Sequence, residues 1–150
     1  MSSYVPAPLR RLVQERARGV CEYCLIHADD TFLGCQIEHV ISEKHGGRTV
    51  ADNLALACVF CNRNKGTDLG SVLPADGKLY RFFNPRIDQW RDHFELDGVV
   101  IRPLTEIGGV TARLLDLNNP ERVIEREALL AVGRYPSPAA VERISRSEGA

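Results

Sequence analysis

The chain has 150 residues, of which 44% are hydrophobic and 26% are charged, and its formal net charge is −1. This composition is typical of an ordinary globular domain with room for an extension. A nearly neutral chain excludes proteins that hold nucleic acid by net charge alone, so any such contact must come from a local patch or a bound metal ion.

No apolar run at the start of the chain is long enough for a signal peptide. No stretch approaches the roughly 20 apolar residues that span a bilayer. The sequence therefore predicts a cytoplasmic protein without a membrane partner. Because thiols stay reduced in that compartment, disulfide bonds among the five cysteines are not expected.

The first predicted element is a helix between Pro8 and Gly19. Apolar residues recur there at helical spacing, proline suits the first turn of a helix, and glycine suits the position after its end. The arginines of this segment are expected on the solvent side, although a contact with the nucleic-acid backbone is the alternative.

Two strands and a helix are predicted next. Residues 31–42 are rich in β-branched and apolar side chains and indicate one strand or two, and residues 43–52 indicate a loop. Residues 53–59 are a short apolar segment that favours a second strand, and residues 62–69 are polar and open a helix. The predicted order is strand, loop, strand, helix, with a Cys-x-x-Cys pair on either side.

The character of the chain changes near residue 70, so we predict a core of residues 1–70 and an extension of residues 71–150 that packs on it. The extension has strands at 79–83 and 98–104, a short helical segment at 87–94, and helices at 110–117 and 121–132. Asn119 is the predicted N-cap of the last helix and Pro120 its first residue. The tail, residues 136–150, is predicted to be partly disordered.

The cysteine spacing predicts a metal site. Cys21 and Cys24 are separated from Cys58 and Cys61 by 33 residues, and each pair has a two-residue gap that lets both thiolates face one ion. Two such pairs complete a tetrahedral zinc site. A redox Cys-x-x-Cys is the weaker alternative because that chemistry needs one pair, and unrelated buried cysteines are another. Cys35 is predicted to be a small core residue.

The polar residues between and after the pairs give the sequence its most specific pattern. The runs IEHVISEKHGG and DNLALACVFCNRNKG contain an acidic residue, a histidine, a glycine-rich loop, Asn-Leu, and Cys-x-x-Cys followed by asparagine. This combination resembles the HNH endonuclease motif, and the resemblance covers roughly residues 21–66. It implies an α+β fold, with a zinc-bound ββα-metal core and a mixed α/β C-terminal extension.

The resemblance also implies a metal-dependent endonuclease that hydrolyses phosphodiester bonds, in DNA in preference to RNA. His39 would be the general base, because imidazole titrates near neutral pH and can take a proton from water. Glu38 and Asn62 would supply hard oxygen ligands for Mg²⁺ or Mn²⁺, and Asn53 would orient the His39 ring through a hydrogen bond.

Two basic residues, Arg63 and Lys65, would then contact nucleic acid. One departure from the family pattern is Glu38, where the family usually has aspartate, so a catalytically inactive zinc-stabilised module that binds nucleic acid or protein is the alternative, and a structural adaptor is a further one. Asn53 and Asn62 could also simply cap a turn and a helix. The sequence leaves the oligomeric state open.

Overall fold

Short antiparallel strand pairs alternate with helices along residues 4–145, which are the residues that the computed structural model describes. The helices in this range are α1 (Ala7–Ala17), α2 (Val59–Lys65), α3 (Trp90–His93), α4 (Glu106–Leu114), α5 (Pro120–Ala131) and α6 (Pro138–Ile144). The strands are β1 (Cys35–His39), β2 (Leu54–Cys58), β3 (Gly70–Val72), β4 (Leu79–Arg81), β5 (Phe94–Asp97) and β6 (Val100–Pro103).

The first sheet and the helix after it form a ββα unit. Strands β1 and β2 pair antiparallel, with Cys35 opposite Cys58 and His39 opposite Leu54. Helix α2 follows β2 directly because Cys58 is its N-cap, and the Cys58 sulfur accepts a hydrogen bond from the backbone N–H of Cys61. The predicted α+β fold with a ββα core is confirmed, although the first strand is shorter than the predicted 31–42.

Helix α1 covers the sheet from one side. Val13 and Ala17 are completely buried and pack with Leu54 and Leu56 of β2. Pro8 lies in the first turn of α1, as predicted. Cys35 is partly buried and packs against both hydrophobic clusters of the molecule, which is the role predicted for it.

The second half of the chain shares a core with the first. The larger hydrophobic cluster contains residues of both halves. The Trp90 indole donates a 2.8 Å hydrogen bond to the Tyr23 carbonyl, and the Tyr135 hydroxyl donates one of 2.8 Å to the Cys24 carbonyl. Backbone groups beside the first cysteine pair are therefore held by side chains more than 60 residues away.

The extension departs from its predicted elements in three places. Helix α4 begins earlier than predicted, at Glu106, because the Thr105 side chain caps it. The sequence does not predict strands β3 and β5, because each is too short to give a clear pattern; β3 pairs with β4 and β5 pairs with β6. Within the tail predicted to be partly disordered, residues 136–150, Pro138–Ile144 form α6 with Ala140 completely buried; residues 146–150 lie outside the described residues.

The N-cap prediction for α5 is confirmed, because Asn119 accepts a hydrogen bond from the Glu121 backbone N–H and Pro120 is the first helical residue. Between residues 4 and 145, no helix combines the length and the apolar character that crossing a membrane requires.

Candidate functional site

The two cysteine pairs meet at one point. Cys21 and Cys24 lie in the turn after α1, and Cys58 and Cys61 lie where β2 passes into α2. All four are buried, and their sulfur atoms lie within 4.8 Å of one another. In each pair the first sulfur accepts a 3.5 Å hydrogen bond from the second residue's backbone N–H. The predicted clustering of the four cysteines is confirmed.

The chemistry of this cluster fits a soft, four-coordinate cation. Burial raises the pKa of Cys21, while hydrogen bonds from the neighbouring thiols lower the pKa of Cys58. Four crowded sulfurs that share protons unequally are suited to a cation that converts all of them to thiolates. The donor set fits Zn²⁺, which four cysteines hold tetrahedrally in structural sites.

Arg122 of α5 completes the cluster from the other half of the chain. Its Nη2 lies 3.4 Å from the sulfurs of both Cys24 and Cys58, and its guanidinium lies 4.4 Å above the centre of the Phe60 ring. A buried cation here would offset the negative charge of four thiolates around a metal ion. The sequence reading missed Arg122, since only the packing of α5 brings it to the cysteines.

A second polar region lies at the end of β1. A cleft of about 370 Å³ opens between the end of this strand, the loop that follows it and helix α2. Glu38, His39 and Asn62 all line it, together with Glu43 from the loop. Adjacent residues inside a strand point to opposite faces. Glu38 and His39 can nevertheless line one cleft, because β1 ends at His39.

His39 is held by the loop. Its Nε2 lies 2.9 Å from the Thr49 hydroxyl oxygen and 3.8 Å from a carboxylate oxygen of Glu43. The Nδ1 atom has no hydrogen-bond partner within residues 4–145. When Nε2 donates to Thr49, Nδ1 carries the lone pair and is free to accept a proton. The sequence reading missed both loop partners of the ring.

Asn53 does not contact the His39 ring, and the prediction that it orients the ring directly does not fit the structure. Its side chain spans the loop: Oδ1 accepts from the Ile41 N–H, and Nδ2 donates to the carbonyls of Ile41 and Arg48, each at 2.9 Å. Gly47 makes this possible, because a Cβ there would lie 1.6 Å from the Ile41 carbonyl oxygen. Asn53 therefore fixes the loop that carries Thr49.

Glu38 and Lys65 are partners in a buried ion pair. Glu38 is 4% exposed and Lys65 is 1% exposed, and the Lys65 Nζ lies 3.2 Å from a Glu38 carboxylate oxygen. Lys65 also donates to the carbonyl of Val40 at 2.8 Å, and Tyr23 donates its hydroxyl to Glu38. Burial raises the pKa of Glu38, and the Lys65 charge opposes that rise. The predicted Lys65–phosphate contact does not fit, because the ammonium is enclosed by protein oxygens.

We expect Lys65→Met to destabilise the fold by about 3–5 kcal/mol, because it leaves the Glu38 carboxylate buried without its cation. The double variant Glu38→Gln with Lys65→Met should recover most of that loss, since both charges are removed together. Denaturant unfolding of the three proteins measures this coupling. Lys44→Met, which removes an exposed lysine of the neighbouring loop, is the matched control. Equal stability of Lys65→Met and Lys44→Met would contradict the assignment.

Asn62 and Arg63 keep more open positions on α2. The Asn62 side-chain N–H donates a 2.7 Å hydrogen bond to the Gln36 side-chain oxygen. The side-chain amide oxygen of Asn62 therefore remains available beside the cleft. Arg63 is exposed. Asn62 is not the cap of α2, because Cys58 has that position.

The sequence of residues 21–68 matches the family model of the HNH endonuclease. This match covers about a third of the chain, and the matched segment is named here the HNH domain. The predicted family resemblance is confirmed, with both cysteine pairs and His39 inside the match. No curated protein matches the chain.

The HNH domain brings some of the predicted residues together and separates others. His39, Glu38 and Asn62 share one cleft, and the four cysteines share another location. Asn53 and Lys65 act within the domain as supports of the loop and of the strand end. The sequence did not predict three further residues of these two sites. Arg122 contacts the cysteines, and Thr49 and Glu43 lie beside the His39 ring.

Proposed function

We propose that the protein is an endonuclease that hydrolyses phosphodiester bonds in nucleic acid, DNA in preference to RNA. His39 acts as the general base, and one structural zinc ion is held by Cys21, Cys24, Cys58 and Cys61. The observation that carries the proposal is the placement of His39 in the HNH domain, at an open cleft, with one ring nitrogen engaged and the other free.

The proposed reaction is an attack of water on phosphorus. The His39 Nδ1 takes a proton from the water as its oxygen forms the new bond to phosphorus, and the bond to the leaving oxygen breaks. Solvent returns a proton to the leaving oxygen. A hydrogen bond donated by Nε2 to Thr49 would leave Nδ1 free for this step, and the nearby Glu43 carboxylate would stabilise the imidazolium that forms.

The proposed Mg²⁺ or Mn²⁺ ion fits Asn62 better than Glu38. Mg²⁺ keeps several waters and needs only one or two protein oxygens besides substrate phosphate, and the Asn62 amide oxygen is available at the cleft. Glu38 does not fit a ligand role in this arrangement, because Lys65 already neutralises its buried carboxylate. When bound, the ion would neutralise charge that builds on the phosphate.

A plasmid nicking assay tests the endonuclease. Zinc-loaded protein in metal-free buffer should nick supercoiled DNA only after Mg²⁺ or Mn²⁺ is added, and should cleave RNA of the same length more slowly. Zinc content is measured before and after, so that loss of the structural ion is not mistaken for loss of the catalytic one. Saturable DNA binding without cleavage under any metal condition would instead support a non-catalytic binding module. The observation that favours this alternative is the Glu38–Lys65 ion pair, which occupies the carboxylate expected to bind the metal ion.

We expect Arg122→Met to weaken zinc affinity roughly 10- to 100-fold, as removal of an outer partner of a metal ligand typically does. The methionine keeps the packing against Phe60 but cannot donate to the sulfurs. Competition with a chelator of known zinc affinity measures the change. Arg113→Met, an exposed arginine on α4, should bind zinc as the wild type does, and an unchanged affinity in Arg122→Met would contradict this role.

A further inference from the structure

Four arginines surround a cavity that no step of the proposed reaction uses. The cavity has a volume of about 370 Å³ and lies between α1, α6 and the segment around residues 83–91. Arg16, Arg86, Arg91 and Arg143 all line it. None of its lining residues lines the cleft at His39.

Three acidic residues, Glu22, Asp88 and Glu142, also line the cavity, and two of them have arginine partners outside it. Asp88 is engaged by Arg81, which donates to both of its carboxylate oxygens at 2.7 and 3.0 Å and does not line the cavity. Glu142 pairs with Arg18, which also lies outside the lining. Glu22 is therefore the acidic residue that neutralises a lining arginine, through its pair with Arg86.

Three of these arginines keep buried N–H groups without an acceptor. The Arg86 side chain is 10% exposed, and its Nε and Nη1 have no hydrogen-bond partner in the described part of the chain. The same holds for the Arg143 Nη1 and the Arg16 Nε, considering residues 4–145. Their remaining groups are used, since Arg143 donates to the Ala17 carbonyl and Arg16 to the carbonyls of Ala51 and Leu54.

Such an arrangement is costly unless something supplies the missing acceptors. Burial lowers the pKa of Arg143 and of Arg16, repulsion from Arg86 lowers both pKa values further, and attraction to Glu22 raises both. Arg86 therefore lies close enough to Arg16 and to Arg143 to repel each of them. An anion among the three would accept from their open N–H groups and offset this repulsion.

We propose that this arginine cavity binds a phosphate group. Guanidinium groups match the oxygens of phosphate with paired, charge-assisted hydrogen bonds. A tetrahedral dianion offers acceptors in several directions, as donors converging from three segments require, whereas a single carboxylate offers them in one plane. The cavity also has room for a substituent on the phosphate. Free phosphate and a terminal phosphate of nucleic acid share this chemistry.

Titration calorimetry of the full, zinc-loaded chain with inorganic phosphate tests the proposal, at constant ionic strength against chloride. We expect saturable binding of one phosphate per chain. Arg143→Gln should weaken it roughly tenfold or more, the effect of losing a hydrogen bond to a charged group. Arg10→Gln, which changes an exposed arginine of α1, should leave it unchanged. Absence of saturable binding in the wild type, or equal affinity in Arg143→Gln, would overturn the proposal.

Three further measurements accompany this test. Arg143→Lys keeps the positive charge with a different donor geometry, so its binding should be intermediate even if Arg143→Gln folds poorly. His39→Ala should bind phosphate as the wild type does, which separates this site from the proposed nuclease centre. A short oligonucleotide with a 5′-phosphate that displaces inorganic phosphate, where the unphosphorylated form does not, identifies nucleic acid as the source; no displacement by either identifies the free anion.

Discussion

Replacing Cys58 with serine is expected to abolish zinc binding and to unfold residues 21–68. Cys58 is a proposed ligand, the N-cap of α2 and a hydrogen-bond partner of Arg122. Structural zinc contributes about 10–16 kcal/mol in small zinc domains, which matches or exceeds the whole stability of about 5–15 kcal/mol of an ordinary domain. Metal analysis and circular dichroism of the purified variant measure both effects.

Cys35→Ser is the control for this experiment. Cys35 sits opposite Cys58 in the first sheet but outside the cluster, and burial raises the pKa of its thiol to about 12. Its replacement should leave one zinc per chain and a cooperative unfolding transition. Wild-type protein that is cooperatively folded after complete zinc removal would contradict the proposed role of the ion.

His39→Ala is expected to lower the rate of DNA nicking by roughly 10²- to 10⁴-fold, the usual contribution of a general base. Only 14% of the side-chain surface is exposed, so its removal should lower the melting temperature somewhat. Zinc content should stay at that of the wild type, because His39 lies outside the cysteine cluster. Single-turnover nicking rates with saturating metal measure the chemical step.

His45→Ala is the matched control, since this histidine lies exposed on the same loop. It should nick DNA at the wild-type rate. Thr49→Val removes the hydroxyl that holds the ring and should give an intermediate rate. Undiminished nicking by His39→Ala would show that another group, or another protein in the preparation, performs the reaction.

The parts of the site that the sequence predicted correctly depend on short spacing. A two-residue gap places both sulfurs of one pair on the same side of a turn, so Cys21 and Cys24 were readable without knowledge of the rest of the chain. The order of strand and loop is also predicted correctly, because the β-branched run stops before a glycine-rich loop, although β1 ends at His39 and not at the predicted residue 42. Both signals are local, and local geometry is what a sequence specifies most directly.

The parts that the sequence did not predict depend on which groups meet across the fold. The family resemblance implies a phosphate contact for Lys65, yet its helix turns the side chain toward Glu38. It also implies that Asn53 orients the His39 ring, yet the Asn53 amide donates to two loop carbonyls instead. The arginines of the cavity are spread from α1 to α6, and no spacing rule connects them.

Arg122 and Tyr135 both contact Cys24 but lie far behind it in the chain, so the order of synthesis affects how the cysteines are protected. All four cysteines leave the ribosome before the residues that later enclose them, since Arg122 follows Cys61 by about sixty positions. Domains generally fold from the N-terminus as the chain emerges. For that interval the thiols would be open to solvent, to competing metals and to oxidants, so early capture of the proposed zinc ion would protect the nascent chain before α5 closes over it.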